Sequence, residues 1–91
     1  MDETTVTSRE IKITVKLFAI LKDVVTKKEI RLVIPQGATI SVLKHKIIQE
    51  YPSLNSFSNI FIFSVNHTVA TNDTVIDEND EVALLPPVSG G

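Results

Sequence analysis

The chain has 91 residues, 43% of them hydrophobic, with a net charge of −2 and no cysteine. That is enough for one domain with a thin core. The missing cysteine excludes a disulfide scaffold, a thiolate metal site and a cysteine nucleophile, and no apolar run reaches the length of a membrane span or a signal peptide. A cytoplasmic protein is therefore the expectation, and the Asn-x-Thr matches at Asn66 and Asn72 carry no glycosylation reading.

The charges are segregated along the chain. All nine bases lie at or before Lys46 against five acids there, and six acids without a base follow from Ile47, giving halves of +4 and −6. A partner or a merely solvated acidic surface accounts for this pattern. Without a basic, aromatic-laced face, nucleic acid is not an expected partner.

Residues 1–10 are polar and aperiodic and read as a mobile N-terminal tail. From Ile11, apolar Ile11, Ile13, Val15 and Leu17 alternate with Lys12, Thr14, Lys16 and Phe18, the period of a half-buried strand. Ala19 to Val25 reads as a short helical turn. Ile30, Leu32 and Ile34 then alternate with Glu29, Arg31 and Val33, and the short connection makes the two strands antiparallel neighbours. Ile34-Pro35-Gln36-Gly37 suits a type I turn. Thr39 or Ser41 caps the following helix, whose buried face is Ile40, Leu43, Ile47 and Tyr51, and Pro52 ends it. After a polar loop, Ile60 to Val65 reads as a buried strand, and Thr68 to Ala70 as a short extended piece. The turn Asp77-Glu78-Asn79-Asp80 leads into a last strand over Glu81 to Leu85.

The class is α+β: a mixed four- or five-stranded sheet with one main helix packed on one face. A β-grasp domain over residues 11–85 requires the last strand to lie beside the first, and element order alone leaves other α+β arrangements open. Residues 86–91 form a separate C-terminal segment. Of three glycines, two end the chain. Gly90 and Gly91 make a thin terminus that leaves the carboxylate uncrowded, while Pro86 and Pro87 end sheet pairing and stiffen the exit. A presented carboxylate is one reading; a frayed end is the other.

Val15-Lys16-Leu17-Phe18-Ala19, then Pro35-x-Gly37-Ala38-Thr39, Val65-Asn66, and Asp80-Glu81-Val82-Ala83-Leu84-Leu85-Pro86-Pro87-Val88-Ser89-Gly90-Gly91 together resemble the family of molybdopterin synthase sulfur-carrier subunits. The resemblance covers nearly all of the chain beyond residue 10. It implies the ubiquitin-like β-grasp fold and a non-catalytic, sulfur-donating role. An ATP-dependent, ubiquitin-activating-type adenylyltransferase would adenylate Gly91, and a sulfur donor of cysteine desulfurase or rhodanese type would convert it to a thiocarboxylate. The large synthase subunit, in a heterotetramer, would use that sulfur to build the molybdopterin dithiolene from cyclic pyranopterin monophosphate. No cofactor is expected on this chain; ATP belongs to the activating enzyme. The implied partner-binding residues are Gly90, Ser89, Val88, Pro87, Pro86, Leu85, Phe18 and Lys22, the last where the family usually has arginine. A ubiquitin-like modifier or adaptor, or a carrier for thiamine or tRNA thiolation, is the alternative.

Other residues point to no chemistry. Asp77, Asn79 and Glu81 begin a calcium-loop spacing, but Val82 stands where glycine is required, so they read as a plain turn. His45 and His67 lack a second ligand at useful spacing and read as surface histidines. Phe57, Phe61 and Phe63 read as core. Two histidines and scattered serines assemble no hydrolytic triad.

Overall fold

A computed structural model describes residues 9–86. The elements, in chain order, are β1 (Glu10–Leu17), α1 (Ile20–Val25), β2 (Glu29–Pro35), α2 (Ile40–Glu50), a 3-10 helix (Pro52–Ile60), β3 (Ile62–Val65), β4 (Thr68–Val69) and β5 (Val82–Leu85). The five strands form one mixed sheet in the order β2-β1-β5-β3-β4. β5 lies parallel to β1, so the last strand sits beside the first as a β-grasp demands.

The alternation in β1 and β2 sorts their side chains strictly by face. Ile11, Ile13, Val15 and Leu17 are buried, as are Ile30, Leu32 and Ile34 opposite them in an antiparallel ladder running from Glu10↔Pro35 to Lys16↔Glu29. Val82 and Leu84 of β5 and Phe63 of β3 extend the same buried face. Helix α2 covers it with Ile40, Leu43 and Ile47, while Tyr51, at the helix C-terminus, packs partly buried against the core. Each fully buried aliphatic side chain contributes about 1.5–3 kcal/mol of transfer free energy.

Thr39 is the N-cap of α2, its Oγ1 accepting from the Val42 N–H at 3.5 Å. Two further donors at this helix start are satisfied from the loop that precedes β5: Ile40 N–H donates to Thr74 O and Ser41 N–H to Asn72 O. That loop also drops Ile76 into the core, tied by its N–H to Ala38 O at 2.9 Å.

Three local expectations need correction. The turn after β2 lies one residue later than Ile34–Gly37. Ala38 N–H donates to Pro35 O, so Gly37, at φ 86, takes the third position, where a type II turn needs positive φ. Pro35 stays in the ladder because β2 is an edge strand and needs no donor there. The polar loop after Pro52 is instead a nine-residue 3-10 helix that buries Leu54 completely. β3 consequently begins at Ile62 rather than at Ile60. β1, for its part, begins at Glu10, and Gln36 N–H donates to Arg9 O just beyond the ladder.

Candidate functional site

The helix covers one face of the sheet and leaves the other open. On that open face the parallel register Lys16↔Ala83 and Leu17↔Leu84 brings Phe18 level with Leu85, while the antiparallel register pairs Leu85 with Ile62. Phe18, 45% exposed, and half-buried Leu85 line one shallow depression together with Lys16, Ser64, His67, Glu81 and Ala83. Phe18 and Leu85, singled out from sequence, are thus brought together at the end of β1 and β5, where Pro86 leaves the sheet.

Lys22 stands on the exposed side of α1 and lines an adjacent depression with Lys16, Leu17, Phe18, Lys28 and Glu29. It flanks Phe18 from the β2 side. Pro86 is half-buried and is the last described residue. Pro87, Val88, Ser89, Gly90 and Gly91, like residues 1–8, lie outside the described residues.

Phe18 owes its exposure to the backbone beyond it. Ala19 precedes α1 at φ 54, ψ −132, a region that disfavours any residue with a Cβ. Leu21 N–H donates back to Phe18 O, and Lys22 N–H to Ala19 O, closing the turn. The chain therefore reverses sharply at Ala19, burying Leu21 and leaving Phe18 and Ile20 outside.

A polar network borders the apolar depression. Glu81 Oε2 lies 3.5 Å from Lys16 Nζ, and its Oε1 lies 3.4 Å from His67 Nε2. Asn66 and His67, at φ 53 and 68, form the β3–β4 turn, in which both central residues take positive φ. Asn66 reaches across to the start of β5: its Nδ2 donates to Asp80 Oδ1, its Oδ1 accepts from Glu81 N–H, and its own N–H donates to Glu81 O. Sequence reasoning did not find Lys16, Ile62, Ala83 or Glu81 as site neighbours. Their grouping depends on cross-strand register, which the linear pattern does not carry.

The described residues contain no group of three His, Cys, Asp or Glu side chains placed to hold a metal ion. Asp77 and Asp80 close a turn instead: Asp77 N–H donates to Asp80 Oδ2, and Asp80 N–H to Asp77 O. Glu81 points away from them toward Lys16 and His67. His45 is exposed on α2. Phe63 is buried, edge-to-face with half-buried Phe61 at 6.0 Å, and Phe57 packs half-buried against the core.

Residues 15–91 match the model of the ThiS family, so the matched region runs through Gly90 and Gly91. A molybdopterin synthase sulfur carrier subunit of Dictyostelium discoideum is 36% identical over 78 residues, covering 82% of this chain and 91% of its own. Its Arabidopsis thaliana counterpart is 27% identical over 81 residues, covering 89% and 84%. Among solved structures, SAMP1 from Haloferax volcanii superposes with a TM-score of 0.75 at 27% identity, covering 88% of this chain and 99% of that one. A chain of the complex of subunits 1 and 2 of molybdopterin-converting factor from Helicobacter pylori superposes with a TM-score of 0.64 at 22% identity, covering 89% and 100%. That last likeness speaks for the fold alone.

Proposed function

The chain belongs to the ThiS family, and on that premise we propose that it serves molybdopterin synthase as its sulfur carrier, with the carboxylate of Gly91 as the reacting group. The observation that carries this reading is the family match itself, which runs through the Gly-Gly end of a chain that has no cysteine. Sulfur carried covalently by such a chain has no side-chain thiol to occupy and must sit on the terminus.

The chemistry stems from the weakness of a carboxylate as an electrophile. Attack of its oxygen on the α-phosphate of ATP, with loss of pyrophosphate, gives an acyl-adenylate with a good leaving group. The terminal sulfur of a donor persulfide then displaces AMP to give an acyl disulfide. A second thiol of the donor system reduces it, releasing the thiocarboxylate and leaving a disulfide on the donor. In the large subunit two loaded chains in turn each pass one sulfur to cyclic pyranopterin monophosphate, their termini returning to the carboxylate by hydrolysis, and the two-sulfur dithiolene is built there. This chain supplies the sulfur, while the partner supplies the catalytic side chains. The activating adenylyltransferase and the sulfur donor, a cysteine desulfurase or rhodanese type, are part of the same proposal.

Phe18 and Leu85 serve as apolar anchors for the large subunit beside the tail's root, with Lys22 at their edge. The Dictyostelium relative, named a molybdopterin synthase sulfur carrier subunit, supports a partner of this kind. Deleting Gly91 tests the reading. The shortened chain is expected to fold normally, since a chain terminus contributes little to stability, and to support no molybdopterin formation with the large subunit.

A second reading has its own observation. SAMP1, which the chain resembles over 88% of its length, shares its name with proteins called small archaeal modifier protein 1. In that case the activated glycine is attacked by lysine amines of other proteins and forms isopeptide bonds.

A further inference from the structure

Opposite ends of β1 carry opposite charge. At its N-terminal end the Asp77–Asp80 turn faces Arg9, Glu10, Ile11 and Gln36. Four acids (Glu10, Asp77, Glu78, Asp80) stand there against one base, a net −3. At the other end, roughly 23 Å away over seven strand steps, two adjoining depressions share Lys22 and Lys28. Their charged lining is Lys16, Lys22, Lys27 and Lys28 against Asp23 and Glu29, four bases to two acids, a net +2.

Two of these six groups are engaged elsewhere, Lys16 with Glu81 and Glu29 with Arg31. Among the described residues Lys22, Lys27 and Lys28 hold no ion pair. The Lys27 ammonium sits 5.7 Å from the Tyr51 ring centroid, which fixes it beside α2 without neutralising it. Because β5 is parallel to β1 and ends level with Phe18, Pro86 leaves the sheet at this positive end. Residues 86–91 contain no charged side chain. Apart from the terminal carboxylate itself and the Lys16–Glu81 pair beside Leu85, these lysines are the charges that a protein approached tail-first meets on the β2 side of the tail's root.

We propose that Lys22, Lys27 and Lys28 form a basic collar flanking the root of the tail on its β2 side, which docks against an acidic rim on the protein that receives the tail. The proposal rests on the reading above, in which residues 86–91 enter a partner. The lysines are point charges on long stems spread across two shallow depressions. A small anion needs convergent donors, whereas an extended acidic surface engages several separated charges together. With the acidic turn at the far end, the described charges at the two ends of β1 have opposite sign, the positive end beside the tail's root, so attraction also orients the approach. The collar acts on the encounter and the apolar patch on the docked complex, as charge at an interface rim governs association rate more than residence time.

Stopped-flow association of the full chain with a molybdopterin synthase large subunit tests this. The pair Lys27→Glu/Lys28→Glu is compared with Lys12→Glu/Lys44→Glu, which changes net charge equally away from the collar. In low salt the collar pair is expected to slow association about tenfold or more, the control pair less than about threefold, and both differences should vanish near 0.5 M NaCl. The dissociation rate should stay within about twofold. Equal slowing by both pairs, or association indifferent to salt, overturns the collar. So does a salt-indifferent association in which inorganic phosphate alone shifts the Lys27 and Lys28 amide resonances, since the lysines are then a small-anion site. Solvent paramagnetic relaxation with an anionic and a cationic probe needs no partner. The anionic probe should concentrate at the amides around Lys22, Lys27 and Lys28, lose that preference in the collar pair and keep it in the control pair, and equal loss in both counts against the collar. A wild-type chain that never associates with the large subunit while the anionic probe still concentrates there sinks the functional reading and leaves the collar standing.

Discussion

Asn66 and Asp80, fourteen residues apart, are joined by a 2.9 Å hydrogen bond from Asn66 Nδ2 to Asp80 Oδ1. Asn66 Oδ1 accepts from Glu81 N–H at the same distance, so one side chain ties the β3–β4 turn to the start of β5. Asparagine also tolerates the φ of 53 found there. Asn66→Ala should lower stability by about 1–2 kcal/mol in urea denaturation, through lost hydrogen bonds and an imposed left-handed Cβ. Asn66→Gly should lose less, because it keeps the backbone freedom. Equal losses would assign the whole effect to the hydrogen bonds.

Backbone strain gives a pair of opposite expectations. Ala19→Gly should raise stability by about 1 kcal/mol, since φ 54, ψ −132 disfavours alanine by more than the added unfolded-state entropy costs. Gly37→Ala should lower it by about 1–2 kcal/mol through φ 86 alone, because a Cβ there meets nothing within 4 Å. Thermal unfolding of the two variants should shift in opposite directions. A destabilised Ala19→Gly would show that the turn is not strained.

Leu54 tests the unexpected 3-10 helix. It is fully buried, so Leu54→Ala should cost about 2–5 kcal/mol in chemical denaturation. A cost below about 1 kcal/mol would return Pro52–Ile60 to the polar loop suggested by its serines and asparagines.

Leu85 reports on the partner surface. Its side chain lies on the open face of the sheet, so Leu85→Asp should leave the fold intact and weaken large-subunit binding by about 2 kcal/mol or more by calorimetry. Unchanged affinity would place the anchor elsewhere and leave the tail to hold the complex.

The two strands with strict alternation and the helix face of Ile40, Leu43 and Ile47 are legible in the sequence because each buries a regular stripe. Leu54 and Ile76 are not. Each is a single buried residue in an irregular polar segment, and no period announces it. Pro35 reads as a turn residue because proline interrupts most strands, and only the sheet order shows that β2 is an edge. Of the site, Phe18, Leu85 and Lys22 come from resemblance, whereas Lys16, Glu81, Lys27 and Lys28 join them only through the β1–β5 register and the turn at Ala19.

The central claim is that sulfur travels on Gly91, and intact-mass spectrometry tests it most directly. Protein recovered from cells with a working pathway should include a fraction in which one oxygen is replaced by sulfur. That species should disappear on mixing with the large subunit and cyclic pyranopterin monophosphate, and a thiol-reactive probe should find no side chain to label. Lysine-linked conjugates with no sulfur-bearing species would contradict the account and favour the modifier reading. A sulfur-loaded chain that the large subunit leaves undischarged would contradict it in the other direction, by assigning the carrier to a different acceptor.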